Sequence, residues 1–259
     1  MKSYFDRNTL RGNAITQWFF HSFIIASFSA YGGLAWATTE ISTLNHALSA
    51  QQDMATASIT EQTPRVKQVN FEGEYASQNA RHIANWVIDS GDNRSMPFVI
   101  IDKMDAKVFV FNPDGQLRGA APALLGLARG DDAVSGIGEQ KLSNIAPDER
   151  TTPAGRFVAA LDRNLYNEEI LWVNYDTGIS LHQVHTTNLK EQRGQRLSTP
   201  TPLDNRISFG CINVPVEFYK KVVSPAFTGT NGVVYVLPEI RSLREVFNLQ
   251  GGEQSTSAK

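Results

Sequence analysis

Between Pro97 and Pro238 the chain is a succession of short apolar runs, each closed by a turn signal, and that rhythm leaves little choice of fold. Phe98-Val99-Ile100-Ile101 and Lys107-Val108-Phe109-Val110-Phe111 are joined by Asp102 to Ala106, and Asn112-Pro113-Asp114-Gly115 turns the chain again. Further strands are expected in part of Leu117 to Leu127, then at Arg156 to Leu161, Ile170 to Tyr175, Ile179 to Val184 and Val233 to Leu237. Asp176-Thr177-Gly178 makes a hairpin of the Ile170 and Ile179 runs. Runs this short, with few helical periods among them, predict a mostly β domain over 97–238. Ahead of it, in 71–96, Phe71 to Asp89 reads as a helix: Ile83, Ala84, Val87 and Ile88 form its apolar stripe and Gly91 lies past its end. His82 and Trp86 on that helix are read as surface or packing residues. In 239–259 a short helix is expected to fade into a Gly- and Ser-containing tail.

The start of the chain has a different character. Lys2, Arg7 and Arg11 precede an apolar stretch from Trp18 to Ala26 that runs through small residues to Ala35-Trp36-Ala37. A basic region, an apolar core and a small-x-small ending describe a secretory signal over 1–37, cleaved after Ala37. An uncleaved membrane anchor over Ile15 to Ala37 is the alternative, weakened by Gln17, His21 and the interspersed Ser and Gly. Both readings export the body of the protein to the periplasm or cell envelope. The following 38–70 is rich in Ser, Thr, Gln and Ala and reads as a flexible linker. A net charge of −2 over 259 residues gives no basic field and argues against nucleic acid as a partner.

Export gives meaning to the single cysteine. Exported chains pair their cysteines in an oxidising compartment, and Cys211 has no second cysteine in its own chain. A lone thiol there is reactive or bridges to another molecule, rather than being an inert apolar side chain. Gly210 lets the backbone approach a substrate closely. Pro215, followed by Val216, Tyr219, Lys220 and Val223 at helical spacing, predicts a helix whose N-terminus lies just beyond Cys211. Its dipole would favour a thiolate.

A cysteine nucleophile needs a base. Of the five histidines, His21, His46 and His82 fall in the signal, the linker and the N-terminal helix, which leaves His182 and His185. Three positions apart on a strand, these two are expected on opposite faces. They make a poor metal pair, and neither metal nor organic cofactor is expected. Two loops interrupt the strands. Arg129 to Pro147 contains Gly136-Ile137-Gly138 but no phosphate-binding pattern. Thr186 to Asn205 is long enough to be a lid, a substrate wall or a surface insertion.

Thr152-Pro153-Ala154-Gly155-Arg156-Phe157, a strand histidine, and Ser208-Phe209-Gly210-Cys211-Ile212-Asn213 together resemble the L,D-transpeptidase catalytic domain (YkuD-type). That signature is a histidine followed at a distance by S/T-H-G-C-x-N or S/T-H-G-C-x-R. The resemblance implies a β-sandwich-like fold and action on peptidoglycan stem peptides in the cell envelope. It implies Cys211 as the acylated nucleophile and His182 as its base, oriented by a backbone carbonyl at about Gln183, while His185 keeps a claim to that role. Ser208, Gly210 and Asn213 fall at positions that shape the motif loop and its oxyanion site. Arg193, Arg196 and Arg206 are candidates for the substrate's carboxylates, with His185 and Phe209 as further substrate contacts. Two departures stand out: Phe209 replaces the second histidine of the motif, and the Thr186 to Asn205 insertion lengthens the separation of His182 from Cys211. The implied reaction forms a Cys thioester with release of D-alanine. An amine of another stem, a lipoprotein lysine, or water (a carboxypeptidase or amidase) then resolves it. The alternative is a non-catalytic peptidoglycan-binding or assembly protein. A papain-like protease ranks last, because its C-G-[SA]-C-[WY] pattern is absent.

Overall fold

The computed structural model describes residues 68–249. The stretches read as an export signal and, up to residue 67, as a linker, together with the tail from residue 250, lie outside them. Ten strands follow the chain: β1 (Phe98–Asp102), β2 (Lys107–Phe111), β3 (Leu117–Pro122), β4 (Leu125–Gly126), β5 (Gly155–Arg163), β6 (Glu169–Asn174), β7 (Ile179–Gln183), β8 (Arg206–Ser208), β9 (Ile212–Val214) and β10 (Gly232–Val236). Eight of them form one sheet in the order β3-β2-β1-β10-β5-β6-β7-β9, and β4 pairs with β8. The mostly β architecture is the one the turn rhythm predicts. Every expected strand is present, and β6 and β7 form the expected antiparallel hairpin. The three-residue β8 and β9, which flank the cysteine, were not anticipated.

Alternation explains why the central runs are apolar throughout. Phe98, Ile100, Phe109, Phe111, Val233 and Tyr235 cluster on one face of the sheet with Ile83, Ala84 and Val87 of the N-terminal helix. Val99, Ile101, Val108, Val110, Val234 and Val236 belong to the opposite face, with Leu171, Leu181, Ile212, Tyr219 and Val223. A strand buried on both faces needs no polar side. That helix, α1 (Gln78–Ser90), begins later than the apolar pattern suggested. Glu72 and Gly73 take positive φ of 50° and 82° and turn the chain. Ser77 then caps the helix, its hydroxyl accepting from Ala80 N–H at 3.0 Å. Phe71 packs edge-on against Phe109 and Phe111, with ring centroids 5.2 and 5.5 Å away. A short helix at Leu243–Phe247 carries the C-terminal segment, as expected.

Two connections position the site. Directly after β3, Leu124 exchanges both backbone hydrogen bonds with Asn213 of β9, at 2.8 and 2.9 Å. The chain leaving one end of the eight-stranded sheet therefore closes against the strand at its other end. The second connection is a buried ionic cluster. Lys103, only 1% exposed, donates to Asp131 Oδ1 at 2.8 Å and to the carbonyls of Gly130 and Thr152. Burial pushes the Lys103 ammonium down and Asp131 holds it up. Burial would likewise raise the Asp131 carboxyl, but bonds from the Arg241, Glu239 and Ile240 N–H groups and from Lys103 outweigh it, and its pKa falls well below the ordinary carboxylate range. Removing one member of a buried charge cluster strands the others. Lys103→Met is expected to lose roughly 3 kcal/mol of stability in urea unfolding, whereas an exposed control, Lys221→Met, is expected to leave the urea midpoint unchanged.

Candidate active site

The site is built on the parallel pairing of β7 with β9, which sets His182 opposite Asn213. In that register Ser180 falls beside Cys211. Residues two apart on a strand share a face, so Cys211, Ser180, Asn213 and His182 form the corners of one patch, with Cys211 diagonal to His182. Ser180 Oγ donates to Cys211 Sγ at 3.5 Å, and the thiol donates to the Gly178 carbonyl at 3.6 Å. Among the described residues Sγ makes no hydrogen bond to His182.

The imidazole is held from both sides. His182 Nδ1 lies 2.8 Å from the Gln183 carbonyl, the contact expected of an orienting group at that residue. A carbonyl accepts only, so Nδ1 carries the proton and Nε2 keeps its lone pair. Nε2 lies 3.5 Å from Asn213 Nδ2, which also donates to the Cys211 carbonyl at 3.2 Å. Arg193 fixes that amide by donating to Asn213 Oδ1. Burial lowers the His182 pKa most, the Gln183 carbonyl partly restores it, and the Arg193 guanidinium lowers it again. The ring is neutral at neutral pH and available as a base.

The motif loop owes its shape to local bonds. Ser208 Oγ donates to the Cys211 carbonyl at 2.6 Å and accepts from Gly210 N–H at 3.1 Å. Gly210 has φ +127°, and a Cβ there would lie 2.6 Å from the Thr151 carbonyl oxygen. Only glycine fits both the conformation and the space. Thr152 Oγ1 donates to the Gly210 carbonyl at 2.8 Å and accepts from Gly126 N–H. The Thr152-Pro153 turn therefore clamps the cysteine loop.

Cys211 opens onto a cavity of about 160 Å³ lined by Phe209, Thr177, Ile179 and the Ala133 to Ile145 loop. That Gly- and Asp-rich loop, given no role from sequence, forms a wall of the site. Thr177 lines the same cavity, and its hydroxyl is buried behind the wall without a hydrogen-bond partner among the described residues. Phe209 carries the Arg150 guanidinium 4.0 Å over its ring, and Arg150 also donates to the Ile145 carbonyl.

Several expectations are corrected. Arg206 binds Glu239 through both terminal nitrogens, at 3.2 and 2.6 Å, and also reaches the Lys103 carbonyl. Arg196 is spent on the carbonyls of Glu191 and Asp204 within the inserted loop. Both arginines brace the fold through these bonds instead of standing free beside Cys211. His185 pairs with Glu168 at 3.6 Å, and its ring lies 5.3 Å from that of His182. The two are neighbours rather than on opposite faces, because β7 ends at Gln183 and its alternation stops there. The helix after Pro215 starts at Val216, but β9 intervenes. At about 3.3 Å per strand residue the dipole is too far to act on Cys211. Ser180 was legible two positions before His182 on the same strand, whereas nothing in the sequence pointed to Arg150 or Thr177.

No family model matches the sequence, and no curated protein does. Several solved structures are similar. An L,D-transpeptidase in complex with imipenem, LdtMt1, is 15% identical over 54% of this chain and 58% of its own, with a TM-score of 0.32. The helical cell shape determining protein Pgp2 from Campylobacter jejuni is 18% identical over 60% of this chain and 55% of its own, with a TM-score of 0.37. The catalytic domain of the E. faecium L,D-transpeptidase is 16% identical over 55% of this chain and 98% of its own, with a TM-score of 0.34. The chain thus spans little more than half the length of the first two.

Two outcomes follow from the geometry. Gly210→Ala is expected to cost about 1–3 kcal/mol through backbone strain, read as a lower Tm. His182 has a folded pKa below its unfolded value of about 6.5, so its contribution to stability is complete above that pH. Below it the unfolded chain takes up a proton that the folded ring refuses, and stability falls with pH. Urea midpoints measured from pH 8 to pH 5 are expected to fall, and His182→Gln is expected to flatten the decline.

Proposed function

We propose that this protein is an exported cysteine acyltransferase of the L,D-transpeptidase kind, acting on peptidoglycan stem peptides. The observation that carries this reading is the patch on β7 and β9: a half-buried thiol with no second cysteine, facing a cavity, diagonal to a neutral imidazole whose Nδ1–H is fixed by a carbonyl. A structural thiol needs no such imidazole.

In the reaction, Cys211 rotates about χ1, leaving the Gly178 carbonyl and turning Sγ toward His182 Nε2. Contacts of this kind tighten when substrate closes the site. Nε2 takes the thiol proton, and the thiolate attacks the carbonyl of the third stem residue. The tetrahedral oxyanion is met by backbone N–H groups of the motif loop. As it collapses, the C–N bond to D-alanine breaks and the imidazolium protonates the leaving amine. A thioester remains on Cys211. An acceptor amine, from another stem or a lipoprotein lysine, then attacks it, with His182 removing the amine's proton; water in that place would give hydrolysis. Phe209 supplies an apolar wall that excludes water, and its cation-loaded ring fixes the wall in place.

One observation favours the non-catalytic reading, a binding or assembly protein: Sγ is bonded to Ser180 and Gly178 instead of His182. Intact mass spectrometry separates the two. Wild type incubated with a stem tetrapeptide, and separately with a carbapenem, is expected to gain a covalent adduct that Cys211→Ala lacks. His182→Gln is expected to slow adduct formation by about 10²–10⁴-fold. A folded wild-type protein with a free thiol that gains no adduct from either compound would leave the binding protein in its place.

A further inference from the structure

The inserted loop reaches the base. It forms one turn of tight helix at Leu189–Glu191, takes a positive φ of 50° at Gln192, and starts a four-residue helix at Arg193. Leu197, 8% exposed, clusters with Leu124 and Val184 and seats the end of that helix on the fold. The loop is also braced from within. Arg196 Nε donates to the Glu191 carbonyl at 2.8 Å, and the Glu191 carboxylate accepts from Arg193 Nε. Held in this way, the Arg193 side chain is only 13% exposed, and its Nη1 donates to Asn213 Oδ1. These two bonds replace the expected contact of Arg193 with a substrate carboxylate.

The contact with Asn213 decides which way that amide faces. A guanidinium only donates, so the atom it meets is the amide oxygen, and the nitrogen falls on the other side. There Nδ2 meets the Cys211 carbonyl at 3.2 Å, which only accepts, and His182 Nε2 at 3.5 Å. Both partners of the amide therefore require the same orientation. Nδ1–H of His182 is committed to the Gln183 carbonyl, so a second proton on the ring would sit on Nε2. Asn213 shows that nitrogen an N–H and no oxygen to accept from it. The other titratable groups around the ring are His185, 5.3 Å away ring to ring, its partner Glu168, and the diagonal Cys211 thiol. Burial does most to keep the ring unprotonated, with the Gln183 carbonyl opposing it. Of the charges, Arg193 acts with burial and Glu168 against it.

We propose that Arg193 is a positioning residue for the base: by holding the Asn213 oxygen it turns the amide N–H toward His182 Nε2, and so keeps that nitrogen free of a proton until the thiol supplies one. The role rests on the reading of His182 as the base for Cys211. It makes the insertion part of the active site and not a surface addition.

Imidazole nitrogen NMR of the full chain, followed from about pH 8 to about pH 5 with His182→Gln to assign the signal, tests the proposal. Wild type is expected to carry its proton on Nδ1 and to take up the second below about pH 6.5. Arg193→Met removes the charge and frees the amide to turn over. Its His182 midpoint is expected to rise by about 1 pH unit. Asn213→Asp leaves Arg193 in place but sets a carboxylate oxygen against Nε2, and the same rise is expected. Lys190→Met, at an exposed position on the same loop, removes an equal charge and is expected to leave the midpoint where it is. A folded Arg193→Met with the wild-type midpoint overturns the proposal, as does an equal rise in Lys190→Met. The titration needs no acylation. If the midpoint moves but Cys211 forms no adduct with a carbapenem, the acyl-transfer reading falls and the placement of Asn213 by Arg193 stands. If adduct forms, the pH at which its rate halves is expected to rise with the midpoint in Arg193→Met; an unshifted profile would mean that His182 is not the base, and the proposal falls with that role.

Discussion

The pairing of β7 with β9 is the constraint on which the site depends. Parallel strands cannot be joined by a tight turn, so the chain must travel from Gln183 to Ile212 before it can lie beside itself. The inserted loop makes that journey, and the register His182 to Asn213 converts a long sequence separation into a shared face. A slip of one residue would turn Cys211 and Asn213 away from Ser180 and His182 together. Asn213 guards against it: its backbone pairs with Leu124 on one side and β7 on the other, and its amide touches Arg193, His182 and the Cys211 carbonyl.

The ionic cluster around Lys103 does for the loops what the pairing does for the strands. Lys103 holds the Thr152 carbonyl while the Thr152 hydroxyl holds that of Gly210. The path from a buried ammonium to the residue before the cysteine is therefore two hydrogen bonds and one threonine. Arg206 and Glu239 join the same cluster from β8 and from the segment after β10. Loops that carry no regular structure become rigid because charges removed from water must satisfy one another.

Much of this was legible in the residues. The strands β1, β2, β6 and β10 announced themselves because burial on both faces makes their runs wholly apolar. Cys211 stood out as a lone thiol; elimination left His182 and His185, and only the resemblance chose His182 between them. What stayed hidden depends on partners far along the chain. Arg196 and Arg206 look like surface cations until the fold brings up Asp204 and Glu239. The strands beside the cysteine are too short to show a period, and the start of α1 was masked by apolar residues ahead of a turn at Glu72 and Gly73.

The closure of Leu124 onto Asn213 also bears on how copies of this protein meet. A sheet that ends in a bare strand offers its row of N–H and C=O groups to any passing chain. Here the terminal strand is three residues long and already engaged on its outer side. The sulfur beside it is thereby kept out of the kind of edge-to-edge dimer in which two identical thiols would face one another and oxidise.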